Sequence, residues 1–147
     1  MEAEVYPTPA VTALIDEQFV PVRIHIKEQP RMWHRFGVRW TPTVMVLSPD
    51  GQEVRRVEGF LPADELIGQL QLGLGYEAAN RKDWPAAERW FGDASKLTNT
   101  DAGPEGLYWQ GVARYSASHD ANVLRDLGKS VRERYPNTSW AKRASIW

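Results

Sequence analysis

The 147-residue sequence contains no cysteine, and this absence excludes several classes of chemistry. Without a thiol the chain forms no disulfide, no thiolate metal site and no cysteine nucleophile. Its three histidines, His25, His34 and His119, are too dispersed in the sequence to indicate a shared metal site. No Gly-x-Ser-x-Gly or phosphate-loop motif is present. The sequence therefore predicts no catalytic residue, no metal and no cofactor.

The sequence also lacks an excess of one charge and a long apolar run. Its 18 basic and 19 acidic residues leave a net charge of −1, which does not favour nucleic acid or an anionic membrane as a partner. The longest apolar runs, such as 43–47, are far shorter than the roughly 20 residues that span a bilayer. The first four residues are Met-Glu-Ala-Glu, acidic where a secretion signal is basic and apolar. We therefore expect a cytoplasmic protein.

Residues 1–74 show the pattern of a small α/β domain. The segment 19–26 is β-branched and alternates apolar residues, as a strand does. The run 43–47 is apolar throughout, which is typical of a strand buried on both faces, and a Pro-Asp-Gly turn follows it. The predicted elements are a helix from Pro9, a strand over 19–26, a helix over 30–36, strands over 43–47 and 53–58, and a helix from Pro62.

Residues 75–147 show helical patterns only, so we place a domain boundary near residue 75. Asp83 is a predicted N-cap, and Pro136 ends a helix that carries two arginines in its last turn. Short polar connections between amphipathic helices favour antiparallel neighbours. The predicted helices cover 84–97, 104–117, 121–135 and 139–145.

Three segments of the first half resemble the second half of a thioredoxin domain. They are 36–44 (FGVRWTPTV), 48–51 (SPDG) and 57–60 (VEGF), and they occur in the family's order and spacing. The resemblance covers roughly residues 3–74. It implies that Pro42 follows a cis peptide bond, a conformation that costs an X-Pro bond only about 0.5–1 kcal/mol. It also implies that Trp40, Thr41 and Pro42 present their backbone to an extended peptide.

The sequence departs from the thioredoxin pattern at its start. Thioredoxin domains begin with a central strand and a Trp-Cys-x-x-Cys motif, whereas residues 1–11 resemble the segment after that motif. The resemblance implies that the first strand and the dithiol lie upstream of Met1 or have been lost. In the fold that strand lies between those matching 19–26 and 43–47, so its absence leaves main-chain groups unpaired. We expect these strands to close up directly, or a second copy to fill the gap in a homodimer joined through the exposed sheet edge.

The second half resembles tetratricopeptide repeats. Gly75, Ala87, Phe91 and Ala94 keep the family's spacing, in which small residues let paired helices approach closely while an aromatic ring fills the notch between them. A second, weaker unit starts at Gly111. Such repeats bind proteins or peptides on a concave helical face. The alternative is that these helices only pack on the first half as a cap.

Three functions remain open on the sequence. The first is a redox-inactive thioredoxin-like domain, N-terminally truncated and followed by an all-α tetratricopeptide-like region, which binds a protein or peptide through Trp40, Thr41 and Pro42 and self-associates. The second is a piece of a thiol–disulfide oxidoreductase whose Cys-x-x-Cys precedes Met1. The third is a structural subunit whose helical half mediates assembly. As given, the polypeptide should reduce no disulfide, because it holds no thiolate.

Overall fold

A computed structural model describes residue 1 and residues 3–147 of the chain. Along the described part of the chain, two helices come first, a two-stranded antiparallel sheet follows, and the rest is helical. The elements are α1 (Pro9–Gln18), α2 (Pro30–Arg35), β1 (Thr43–Leu47), β2 (Glu53–Glu58), α3 (Ala63–Asn80), α4 (Trp84–Ser95), α5 (Ala102–Ser118), α6 (Ala121–Arg134), α7 (Ser139–Arg143) and a final 3₁₀ turn (Ala144–Ile146).

Several helix ends follow local signals in the sequence. The Asp83 side chain accepts a hydrogen bond from the Ala86 N–H (3.2 Å), so Asp83 is the N-cap of α4 as predicted. Gly37, just after α2, adopts a φ of +57°, a left-handed conformation that glycine reaches without steric cost. Thr8 occupies the N-cap position of α1, but its hydroxyl donates to the Glu4 carbonyl instead of capping the helix.

One face of the sheet packs on α3. Val46 of β1, Val11 of α1, and Leu66 and Leu70 of α3 are buried in one cluster. A methyl group added at Gly73 would lie 2.8 Å from Val46, so this helix reaches the strand only because residue 73 has no side chain. The first half therefore has its own core, built between α1, the sheet and the first half of α3.

The helical half has a second core that includes residues singled out in the sequence. Gly75, Ala87, Phe91 and Ala94 are all buried between α3 and α4. A Cβ at Gly75 would lie 2.6 Å from the Phe91 ring, which confirms that a small residue is needed opposite this ring. Gly111 of α5 has the same relation to Leu127 of α6, at 2.8 Å. The packing predicted at these positions is present, while the tetratricopeptide assignment itself stays a prediction.

The strand predicted over 19–26 is wrong. These residues form no strand, and Val20 and Val22 are 91% and 77% exposed. A strand needs a neighbouring strand to share its backbone hydrogen bonds, and among the described residues no strand forms a ladder with this segment. The strands therefore do not close up directly. The sheet contains β1 and β2 only, in the order β1-β2.

The environment of β1 also differs from the expectation. We expected 43–47 to be buried on both faces, but only Val46 is buried and the other four residues are half-buried or exposed. The proposed boundary at residue 75 lies inside the continuous helix α3, so the two halves share this element. Within the described residues no helix is both long enough and apolar enough to cross a membrane.

Candidate functional site

The loop that enters β1 contains the three residues predicted to bind a peptide. The Thr41–Pro42 peptide bond is cis, as the sequence resemblance implied. The Trp40 side chain is 66% exposed, Thr41 is exposed and Pro42 is half-buried. Two hydrogen bonds anchor the loop to the sheet: the Thr43 hydroxyl donates to the Trp40 carbonyl (2.6 Å), and the Gly59 N–H donates to the Pro42 carbonyl (2.8 Å). A large aromatic ring is therefore presented to solvent from a fixed backbone.

The strand that follows this loop has one free edge. In an antiparallel pair, alternate residues exchange hydrogen bonds with the neighbouring strand. Because Gly59 bonds to Pro42, the residues of β1 that bond to β2 are Val44 and Val46, in register with Val57 and Arg55. The main-chain groups of the alternate residues 43 and 45 therefore point away from β2. No backbone hydrogen bond from the described part of the chain reaches them.

Arg56 holds helix α2 against the outer face of the sheet. It stands opposite Met45 in the β1/β2 register. Its guanidinium donates to the Phe36 carbonyl (2.5 Å) and the Gly37 carbonyl (3.5 Å), at the end of α2. The same group forms two hydrogen bonds to Glu53 (2.9 and 2.5 Å), and these lower the pKa of that carboxyl and raise the pKa of Arg56. Arg56 thus links β2 to the end of α2.

On the other face of the sheet, Arg55 connects β2 to the helical half. Its two terminal nitrogens donate to the two Glu105 oxygens, each at 2.9 Å, and its Nε donates to the Gln69 side-chain oxygen at 2.6 Å. The Tyr76 hydroxyl also donates to Glu105 (2.5 Å). Burial, together with the hydrogen bond to this carboxylate, raises the pKa of Tyr76 far above its usual range. Each of the three guanidinium nitrogens of Arg55 donates to a partner, so this network joins the sheet to α3 and α5.

The residues considered for metal binding are not brought together. Among the described residues no group of three or more His, Asp or Glu side chains could hold a metal ion. His25, His34 and His119 are all exposed. An open cleft of about 440 Å³ lies along β2 and α3, lined in part by Arg55, Arg56 and Tyr76. The charged groups that line this cleft are already in ion pairs, Arg55 with Glu105 and Arg56 with Glu53.

Sequence reasoning missed both arginines of β2. Arg55 and Glu105 are 50 positions apart, and no motif joins them. Alternation along the predicted strand 53–58 would have placed neighbouring residues 55 and 56 on opposite faces, which the structure shows. That signal identifies their directions but not their partners, because the partners belong to distant helices.

Comparison with known proteins agrees with this geometry. The thioredoxin-like domain family matches residues 1–73. One relative is the SPbeta prophage-derived thioredoxin-like protein YosR of Bacillus subtilis (strain 168), which is 38% identical over 50 residues. That match covers 33% of this chain and 62% of the relative, so the chain spans less than two thirds of the relative's length. No solved structure matches the chain. Residues 1–73 are therefore a thioredoxin-like domain, and it contains no cysteine.

Proposed function

We propose that this chain acts by binding a protein or peptide through the loop of Trp40, Thr41 and Pro42, and not by exchanging disulfides. The observation that carries the proposal is the exposed Trp40 ring on an anchored loop, in a thioredoxin-like domain with no thiol. A fixed aromatic side chain gives a large contact area at a low entropy cost, and tryptophan is frequent at binding hot spots.

A peptide selection followed by substitution tests this proposal. Decapeptides selected from a random display library against the whole chain are remeasured by fluorescence anisotropy with Trp40→Ala. We expect a loss of affinity of about thirtyfold, the size typical of a tryptophan hot spot. The matched control is Ile146→Ala, which removes an 83% exposed apolar side chain in the helical half and should leave affinity unchanged. Equal affinities for Trp40→Ala and the parent chain would refute the assignment of this loop.

A second candidate function is that of a thiol–disulfide oxidoreductase of which this sequence is a piece. The free edge of β1 favours it, as does the strand-like pattern of 19–26, which forms no strand here, because a strand inserted between them would give both a neighbour for a β ladder. Sequencing the DNA upstream of Met1 distinguishes the two functions. An in-frame Cys-x-x-Cys codon pattern would support the oxidoreductase, and an in-frame stop codon would exclude it.

We also propose that α3 to α7 are tetratricopeptide-like, with α3/α4 and α5/α6 as the two helical pairs. The small residues under Phe91 and Leu127 support this. A second copy of the chain would compete with a peptide for the free edge of β1, and a purely structural role would depend on that assembly. Sedimentation mass of the whole chain across a hundredfold range of concentration tests self-association, and a constant monomer mass would reject it.

A further inference from the structure

The edge of β1 adjoins an unusual stretch of chain in which no residue is buried. From residue 12 to residue 45 every residue is half-buried or exposed, although the stretch contains many apolar side chains. Val20, Val22 and Trp40 are among its most exposed members. Several large apolar side chains exposed in one stretch of chain are typical of a surface that another molecule covers. An unpaired strand edge beside such a surface is a template for one more strand.

The same stretch carries most of the positive charge of the first half. Five of the seven basic residues in 1–74 fall within 23–39, where Glu28 is the one carboxylate. Arg31 and Arg35 are one turn apart on α2 and exposed, and Arg39 is exposed just before the loop. No carboxylate of the described residues pairs with any of these three arginines. The patch is therefore available to an acidic partner.

The two faces of the sheet differ in a way that specifies the partner's pattern. Val44 and Val46 lie on the face that packs on α3, and Met45 lies on the face where Arg56 holds the end of α2. Side chains of an added strand would alternate between these two faces. Apolar side chains suit the α3 side, and carboxylates suit the side on which α2, with its exposed Arg31 and Arg35, ends.

We propose that the free edge of β1 binds an extended peptide in which apolar and acidic residues alternate. This inference rests on the proposed function and names the chemistry of its ligand. A second copy fits this edge poorly, because a symmetric dimer brings each patch against itself and would oppose two clusters of arginines. Nucleic acid would use the positive charge but would leave the main-chain groups of residues 43 and 45 without partners.

The test measures binding of three fluorescent peptides by anisotropy at low salt. The probe is Glu-Val-Glu-Val-Glu-Val-Glu, and the matched controls replace every Glu by Lys or by Gln. We expect the Glu peptide to bind at least about tenfold more tightly than the Lys peptide, since like charges oppose association. Methylating alternate backbone nitrogens of the Glu peptide should abolish its binding, because the methyl groups remove donors from the ladder.

A charge-reversed variant locates the effect on the protein. The double substitution Arg31→Glu with Arg35→Glu should invert the preference, so that the Lys peptide binds more tightly than the Glu peptide. Arg125→Glu with Lys129→Glu on α6 reverses two exposed cations with the same spacing and should change neither affinity. All four side chains are exposed, and far-UV circular dichroism of both variants is the check that they fold.

Four outcomes would overturn the inference. Equal binding of the Glu and Lys peptides would reject the charge preference while the proposed function stands. Failure of all three peptides to bind, with a dimer in sedimentation that Met45→Lys dissociates, would show that a second copy occupies the edge. Binding of a thymidine oligonucleotide in place of the Glu peptide would show a nucleic-acid surface. Failure of these peptides and of every library-selected peptide would reject the proposed function as well.

Discussion

The bond network around Glu105 allows a quantitative prediction about stability. Glu105→Gln keeps the size and one acceptor oxygen of the side chain but removes the charge that faces Arg55. The Arg55 and Glu105 side chains are 16% and 12% exposed, so the pair is neither fully buried nor on the surface. Breaking a buried pair costs about 3–5 kcal/mol, and an exposed pair contributes about 0–1 kcal/mol. For this intermediate burial we expect a loss of about 2–3 kcal/mol in the free energy of unfolding.

The assay is urea unfolding followed by circular dichroism, with thermal melts as a second measure. For a chain of this length the expected loss corresponds to a fall in Tm of about 6–9 °C. The control is Lys129→Gln, which breaks the pair to Glu133 within α6, where the two side chains are 71% and 65% exposed, and it should cost about 0.5 kcal/mol or less. This comparison separates the effect of burial from the effect of losing any ion pair.

A double substitution tests whether the cost comes from an unpaired charge. Arg55→Met combined with Glu105→Met removes both charges, so we expect it to be less destabilising than Glu105→Gln alone. The reasoning is refuted if Glu105→Gln costs no more than Lys129→Gln. It is also refuted if the double variant is the less stable of the two, since the bonds themselves would then dominate.

Three further predictions concern packing, pH and the exposed segment. Gly75→Ala places a methyl group 2.6 Å from the Phe91 ring, and we expect a loss of about 1–3 kcal/mol in urea unfolding; no loss would mean that the helices separate freely. The folded pKa of Glu53 is lowered by Arg56 from about 4.5, so its stabilising effect is present above that value and is lost as pH falls through the folded pKa. Glu53→Gln should therefore flatten the fall in Tm below pH 4.5, and an unchanged slope would contradict the pairing. Val22→Lys should change stability by about 0.5 kcal/mol or less, because the side chain is 77% exposed; a larger loss in melts would show that this segment is covered.

Local patterns predicted most of the helices and the loop. The N-cap at Asp83 and the turn after β1 each depend on a few adjacent residues, so a single sequence carries the signal, while the cis bond before Pro42 was implied by the resemblance to thioredoxin domains. The packing of Gly75 against Phe91 was implied by the resemblance of this helical pair to a tetratricopeptide repeat. The identity of the peptide-binding residues 40–42 stays a prediction, because exposure and anchoring support it without testing it.

The error over 19–26 has a physical cause. Its alternation of apolar residues is the pattern of a strand, but a strand exists only where a second strand accepts its hydrogen bonds. The pattern of 19–26 alone does not show whether a neighbouring strand is present to pair with it. The burial of β1 was overestimated for the same reason. No second described strand pairs with β1 opposite β2, and only Val46 of its five residues is buried.

The sequence by itself determined most of the element types, though not that of 19–26, together with the loop and the absence of thiol chemistry, because each follows from residue identity and short spacing. Only the tertiary structure decided which strand edge is free, which arginine joins the two halves and which one holds α2. Those features depend on groups that meet across 20 to 50 positions of chain. Contacts over such separations are selected by the packing of whole elements, and no local pattern records them.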